Sequence, residues 1–160
     1  MSAGPLIASG IGIFLLVVTA YILIGGTLTT TEVMVEAQSN LAAYQETRMR
    51  TAIMIQNTTL TSSALHVEVR NTGSEQVVDI PSIDVYILSN GLPNYVPYNT
   101  DGLHWTSAGI NPDEIHPGTL DPGETLNLTV IFGEGDPPAW VQVVTPNGVS
   151  SSVYVTTAGG

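Results

Sequence analysis

The chain has 160 residues, no cysteine, and 14 Asp and Glu against 3 Lys and Arg, a formal net charge of −11. Disulfides, thiol redox chemistry and thiolate metal sites are excluded, and so acidic a surface repels nucleic acid and anionic headgroups. At 43% apolar residues the chain is too hydrophobic for a disordered one, and its length holds one domain beside a membrane segment.

The first predicted element is Leu6 to Ile24, nineteen uncharged residues of which twelve are Leu, Ile, Val or Phe; Glu32 is the first charge in the chain. As a helix this run spans about 28 Å at about 1.5 Å per residue. That nearly matches the hydrocarbon core of a bilayer, about 30 Å thick, and Gly25 to Leu28 extends it. In lipid the backbone must satisfy its own hydrogen bonds, so such a run is helical. A removable secretory signal would need a basic n-region, a shorter apolar core and a small-x-small cleavage site. No Lys or Arg precedes Arg48. The expectation is a retained anchor over residues 1–28.

Thr29 to Arg50 has no Gly or Pro and is rich in helix formers. It is predicted to continue the helix as a stalk over residues 29–50. Met34, Leu41 and Arg48 fall seven apart, with Ala37 and Tyr44 between them. Such a stripe could pair with a second copy to form a homodimer, or simply be a solvated spacer.

From Thr51 the period changes to two. Ala52 to Gln56 opens the pattern; Leu65, Val67 and Val69 then alternate with His66, Glu68 and Arg70. Asn71 to Ser74 reads as a turn. Ile83, Val85 and Ile87 alternate next, and Asp121-Pro122-Gly123 reads as a tight turn with Gly third. Leu126, Leu128, Val130 and Phe132 face inward with Thr125, Asn127 and Thr129 outward. Trp140 to Thr145 and Val149 to Val155 make a final pair around Pro146-Asn147-Gly148. About seven short strands separated by Gly, Pro and Asn turns predict a mainly β domain over residues 51–160, an immunoglobulin-like antiparallel β-sandwich. The Cys…Trp…Cys spacing of antibody domains is absent.

Between Asn90 and Pro117 the alternation fails, and four prolines interleave with Asn, Gly and Tyr. This predicts a long loop, a common carrier of binding residues. Tyr95, Tyr98 and Trp105 are its partner-contact candidates; the competing reading is that they seal the open end of the sandwich. No G-x-S-x-G, Gly-rich phosphate loop or H-E-x-x-H occurs, so no catalytic residue and no cofactor site is expected. His66 is expected at an exposed strand position. His104 and His116 flank Asp113-Glu114, which could hold a cation, but the spacing matches no known metal loop and solvated carboxylates are the expectation.

Two glycosylation sequons occur, at Asn57 and Asn127. Positive charge on the flanks of the anchor is too sparse to orient it, and Arg48 and Arg50 weakly favour a cytoplasmic C-terminal side. The acidic, lysine-free, sequon-bearing sandwich argues for the outside, which is the expected orientation.

A short uncharged N-terminus, one hydrophobic helix ending in Ala20-Tyr21-Ile22-Leu23-Ile24-Gly25-Gly26, a polar helical stalk and one acidic sandwich together resemble the archaellar accessory proteins of the FlaF (ArlF) family. The resemblance implies a non-enzymatic, single-pass membrane protein in the stationary part of the archaellum motor. It further implies a sandwich outside the cytoplasm beneath the surface layer, binding the S-layer protein and working with a FlaG-like partner and other motor components. Archaellins and archaeal pilins share the helix-plus-sandwich plan, and a filament subunit is the alternative. Their basic leader is missing here, Pro5 follows Gly4, and no Glu stands at the fifth position beyond it.

Overall fold

The computed structural model describes residues 3–133 and 135–156, apart from the side chains of residues 27–31. The chain divides into two compact units, Met1–Tyr44 and Gln45–Gly160.

The first unit belongs to a single helix, α1, which runs Gly4–Arg50. Its apolar part, Gly4–Gly26, has 23 residues and is long and apolar enough to cross a membrane. At about 1.5 Å per residue it extends about 35 Å, more than the hydrocarbon core requires. Its Leu, Ile, Val and Phe side chains are exposed. The polar side chains within it turn back on the helix. Ser9 Oγ donates to the Leu6 carbonyl at 2.9 Å, and Thr19 Oγ1 donates to the carbonyls of Leu15 (2.8 Å) and Leu16 (3.0 Å). An apolar surrounding demands that economy of donors. The expected boundary at residue 28 falls among residues 27–31, whose side chains lie outside the description. Beyond it, Met34, Leu41 and Tyr44 are exposed along the helix.

Among the described residues the second unit takes the last residues of α1 and eight strands: β1 (Ile53–Leu60), β2 (Ala64–Asn71), β3 (Asp84–Ser89), β4 (Leu92–Val96), β5 (His104–Asn111), β6 (Thr125–Ile131), β7 (Trp140–Val144) and β8 (Ser150–Tyr154). They form two antiparallel four-stranded sheets, ordered β1-β2-β6-β5 and β4-β3-β7-β8. This is the expected immunoglobulin-like sandwich. The predicted inward residues meet between the sheets: Leu65, Val67, Val69, Leu126, Leu128 and Val130 from one, Val85, Ile87, Val141 and Val143 from the other. Both flanks are tied. On one, the Ile55 N–H donates to Ser151 Oγ at 3.1 Å. On the other, the backbone of Pro97 to Asn99 bonds to that of Trp105.

The expected turns are present. Glu124 N donates to the Asp121 carbonyl at 3.1 Å, with Gly123 at φ 88°, as Pro and Gly at the two centres require. Asn71 is fully buried and anchors its own turn. Its Nδ2 donates to the carbonyls of Glu75 and Leu120, and its Oδ1 accepts from Gly73 N. The same turn grips the end of α1: Ser74 N and Glu75 N donate to the Arg50 carbonyl, and Thr72 N and Gly73 N to the Ala52 carbonyl.

The long loop expected from Asn90 to Pro117 is a correction. It contains β4 and β5. Asn90 and Gly91 both have positive φ (53° and 76°), and Ser89 faces Leu92. This is a two-residue hairpin of the Asn-Gly kind, whose twist matches the flanking strands. Pro93 masked the returning strand. It is tolerated because β4 lies at the edge of its sheet, where a missing N–H costs no ladder bond.

Candidate interaction surface

The two sheets present unlike faces to solvent. Outward positions of the first sheet form polar rows across the strands: Thr59, His66, Thr129 and Thr106 in one, Asn57, Glu68, Asn127 and Gly109 in the next, Arg70 and Thr125 beyond. Both sequon asparagines thus lie in one row, on either side of Glu68. Asn57 is exposed at a bulge of edge strand β1, whereas Asn127 is half-buried on central strand β6. Gly109 stands opposite Asn127 and so places no side chain beside it, and a Cβ there would meet nothing within 4 Å. His66 is exposed, as expected, with Nδ1 3.0 Å from Thr129 Oγ1.

The outward face of the second sheet is apolar and aromatic. Pro93, Leu88, Trp140 and Tyr154 form one row across it, and Tyr95, Tyr86, Gln142 and Ser152 the next. Tyr95 is the one contact candidate of the sequence reading that the fold places here. It is 52% exposed, with its ring 5.4 Å from that of Tyr86. Partial burial raises the Tyr95 phenol above its ordinary pKa, and the adjacent Asp84 carboxylate, which also accepts its hydrogen bond, raises it further.

Tyr98 and Trp105 lie elsewhere. Trp105 has no exposed surface and packs in the core, with Tyr98 half-buried edge-on against it at 4.6 Å. The expectation of Trp105 as a contact residue is therefore corrected. Position 105 points between the sheets, and its ring fills the end of the core beside β4 and β5. Its Nε1 has no hydrogen-bond partner there. Sequence reasoning missed Tyr86, Trp140 and Tyr154. The signal was available, since all three alternate with inward Val or Ile. They come from three different strands, however, and only the pairing unites them.

The carboxylates of the acidic loop hold the loop's own backbone. Asp121 and Glu124 are buried and hold the loop ahead of them. Asp121 accepts from His116 N at 2.9 Å and lies 3.0 Å from His116 Nδ1, while Glu124 accepts from Glu114 N and Asp121 N. The Asp113 carboxylate accepts from Gly118 N at 3.0 Å, and His104 Nδ1 lies 2.8 Å from the Gly102 carbonyl. The two histidines are thus engaged locally and separately. Among the described residues no group of three His, Asp or Glu could hold a metal ion.

Solved structures share this architecture. The archaellum periplasmic stator protein FlaG from Sulfolobus acidocaldarius superposes with a TM-score of 0.54 at 23% identity, covering 66% of this chain and 99% of that one. The archaellum periplasmic stator complex of FlaF and FlaG from the same organism gives 0.54 at 24% identity, covering 64% and 87%. The sandwich shares its fold with these proteins. No protein-family description matches the chain, and neither does any curated protein.

Proposed function

We propose that this chain is a non-enzymatic, membrane-anchored stator component of an archaellum motor. The observation that carries the reading is a combination. A sandwich with the fold of archaellum stator proteins follows a helix with 23 residues fit to span a bilayer. Residues 1–28 anchor the chain, 29–50 form the stalk, and 51–160 form the sandwich outside the cytoplasm. There the sandwich attaches to S-layer protein and works beside a FlaG-like partner. A rotating filament needs a housing that does not turn, and a lattice of surface protein provides one. The aromatic outward face of the second sheet, with Tyr95 and Tyr154 exposed at its ends, is the contact surface, because exposed aromatic side chains gathered on one face and rimmed by polar groups mark binding.

The test uses the full chain in lipid nanodiscs, mixed with purified S-layer protein at native salt and pH. Retention of S-layer protein is expected, and loss of swimming without loss of filaments is expected when the gene is deleted. No retention, or deletion that removes the filaments themselves, would sink the stator reading.

A further inference from the structure

Each strand of the second sheet places one aromatic side chain on the same outward face: Tyr95 from β4, Tyr86 from β3, Trp140 from β7 and Tyr154 from β8. Tyr86 faces Tyr95 in one row and Trp140 faces Tyr154 in the next, so the four cross the sheet as a diagonal band. With about 4.8 Å between strands, the band is about 14 Å long. Its ends are open to solvent, Tyr95 at 52% and Tyr154 at 74% exposed. No aromatic residue occupies an outward position of the first sheet, whose rows are Thr, Asn, Glu, His and Arg with Gly109 and, on the edge strand, Met54. The asymmetry argues for a ligand on one face only.

Size and charge select the ligand. Two rows about 7 Å apart and about 14 Å long, with their side chains, make a patch of about 300 Å². A stable protein interface needs about 800 Å² from each partner, so a second copy held by this patch alone would be weak. The outward strand positions of this face carry no Lys, Arg or His and a single carboxylate, Asp84, at one margin of the band. It therefore offers nothing to hold an anion, and the aromatic rows themselves are neutral. What it does offer is aromatic rings interspersed with neutral hydrogen-bonding groups, Gln142 and Ser152 in the Tyr86 row and Ser150 beyond. A sugar ring matches that pattern. Its C–H edges carry partial positive charge and rest on the negative face of an aromatic ring, and its hydroxyls reach amide and hydroxyl groups beside it.

We propose that the outward face of the β4-β3-β7-β8 sheet binds a short neutral oligosaccharide, stacked along Tyr95, Tyr86, Trp140 and Tyr154. This rests on the reading of the sandwich as an envelope attachment domain and names the chemistry it grips.

The experiment titrates the full chain in nanodiscs with cellotetraose, maltotetraose, mannotetraose and chitotetraose. Binding is followed by calorimetry and by tryptophan emission, in which Trp140 is the responsive residue because Trp105 is buried. Saturable binding of at least one sugar is expected. Trp140→Ala and Tyr154→Ala should each weaken it by about tenfold or more, while Trp140→Tyr restores most of it and Thr106→Ala on the other sheet leaves it unchanged. No saturable binding of any of the four, or equal binding by Trp140→Ala, overturns the proposal. A parallel arm separates it from the attachment reading. S-layer protein oxidised with periodate, which opens vicinal diols, should lose retention. Undiminished retention would overturn the sugar chemistry and leave attachment standing. Binding of an oligosaccharide without retention of S-layer protein would do the reverse.

Discussion

Gly73 shows how much one missing methyl group can settle. A Cβ at that position would lie 2.4 Å from Ala52 N and 2.5 Å from the Arg50 carbonyl oxygen, both backbone atoms of the junction between α1 and β1. Backbone cannot swing aside as a side-chain tip can, so Gly73→Ala should cost about 1–3 kcal/mol, the ordinary penalty of overpacking, and denaturant unfolding measures it. Asn71 has the complementary role. Removing its amide takes the side-chain donor from the Glu75 carbonyl and leaves the Leu120 carbonyl with the Val77 N–H alone, and Asn71→Ala should destabilise by about 1–2 kcal/mol in the same assay. Tyr95 supplies the pH dependence. A phenol whose pKa is raised in the folded state contributes stability that is complete below the unfolded value, about 10. That contribution is lost as pH rises through the higher folded value. Phenolate absorbance should place Tyr95 as a late-titrating tyrosine, and Asp84→Asn should move it back toward the ordinary range. An unchanged titration in that variant would remove Asp84 as a cause.

At the scale of elements, the β3–β4 hairpin turns on two residues. Asn90 and Gly91 both hold positive φ, which a β-branched residue adopts only with strain. Gly91→Val should therefore lower stability by about 1–2 kcal/mol, and chemical shifts should report the loss in β3 and β4 before β1 and β2. An Asn-Gly pair beside Tyr86-Ile87-Leu88 was a legible hairpin signal. Pro93 obscured it, because proline argues against a strand unless the strand is known to be at an edge, and edges are a property of the assembled sheet. The strands β2 and β6 were fully legible for the opposite reason. Both faces of each are unambiguous, with Leu65, Val67 and Val69 or Leu126, Leu128 and Val130 buried at every second position.

For the whole molecule, the proposals concern the anchor and the sequon-bearing face. Deleting residues 1–28 should move the protein from the membrane pellet into the carbonate-soluble fraction; a variant that still pellets would break the anchor reading. Intact mass of the protein from native membranes would show sugar at Asn57 or Asn127 and would place the sandwich outside. A chain shortened by residues 1–4 would instead favour the filament-subunit alternative.

The apolar helix, the place and period of six of the eight described strands, and the sandwich class followed from sequence alone. These rest on short-range regularities, since nineteen uncharged residues or an alternation of period two needs no knowledge of neighbours. Which aromatic residues meet was decided only by the tertiary structure. Trp105 and Tyr95 both lie in a proline-rich stretch, yet one is sealed in the core and the other faces solvent. Tyr86, Trp140 and Tyr154 lie up to 68 positions apart in sequence and share a face through strand pairing. Alternation tells which side of a strand a residue takes; only register and sheet order tell what stands beside it.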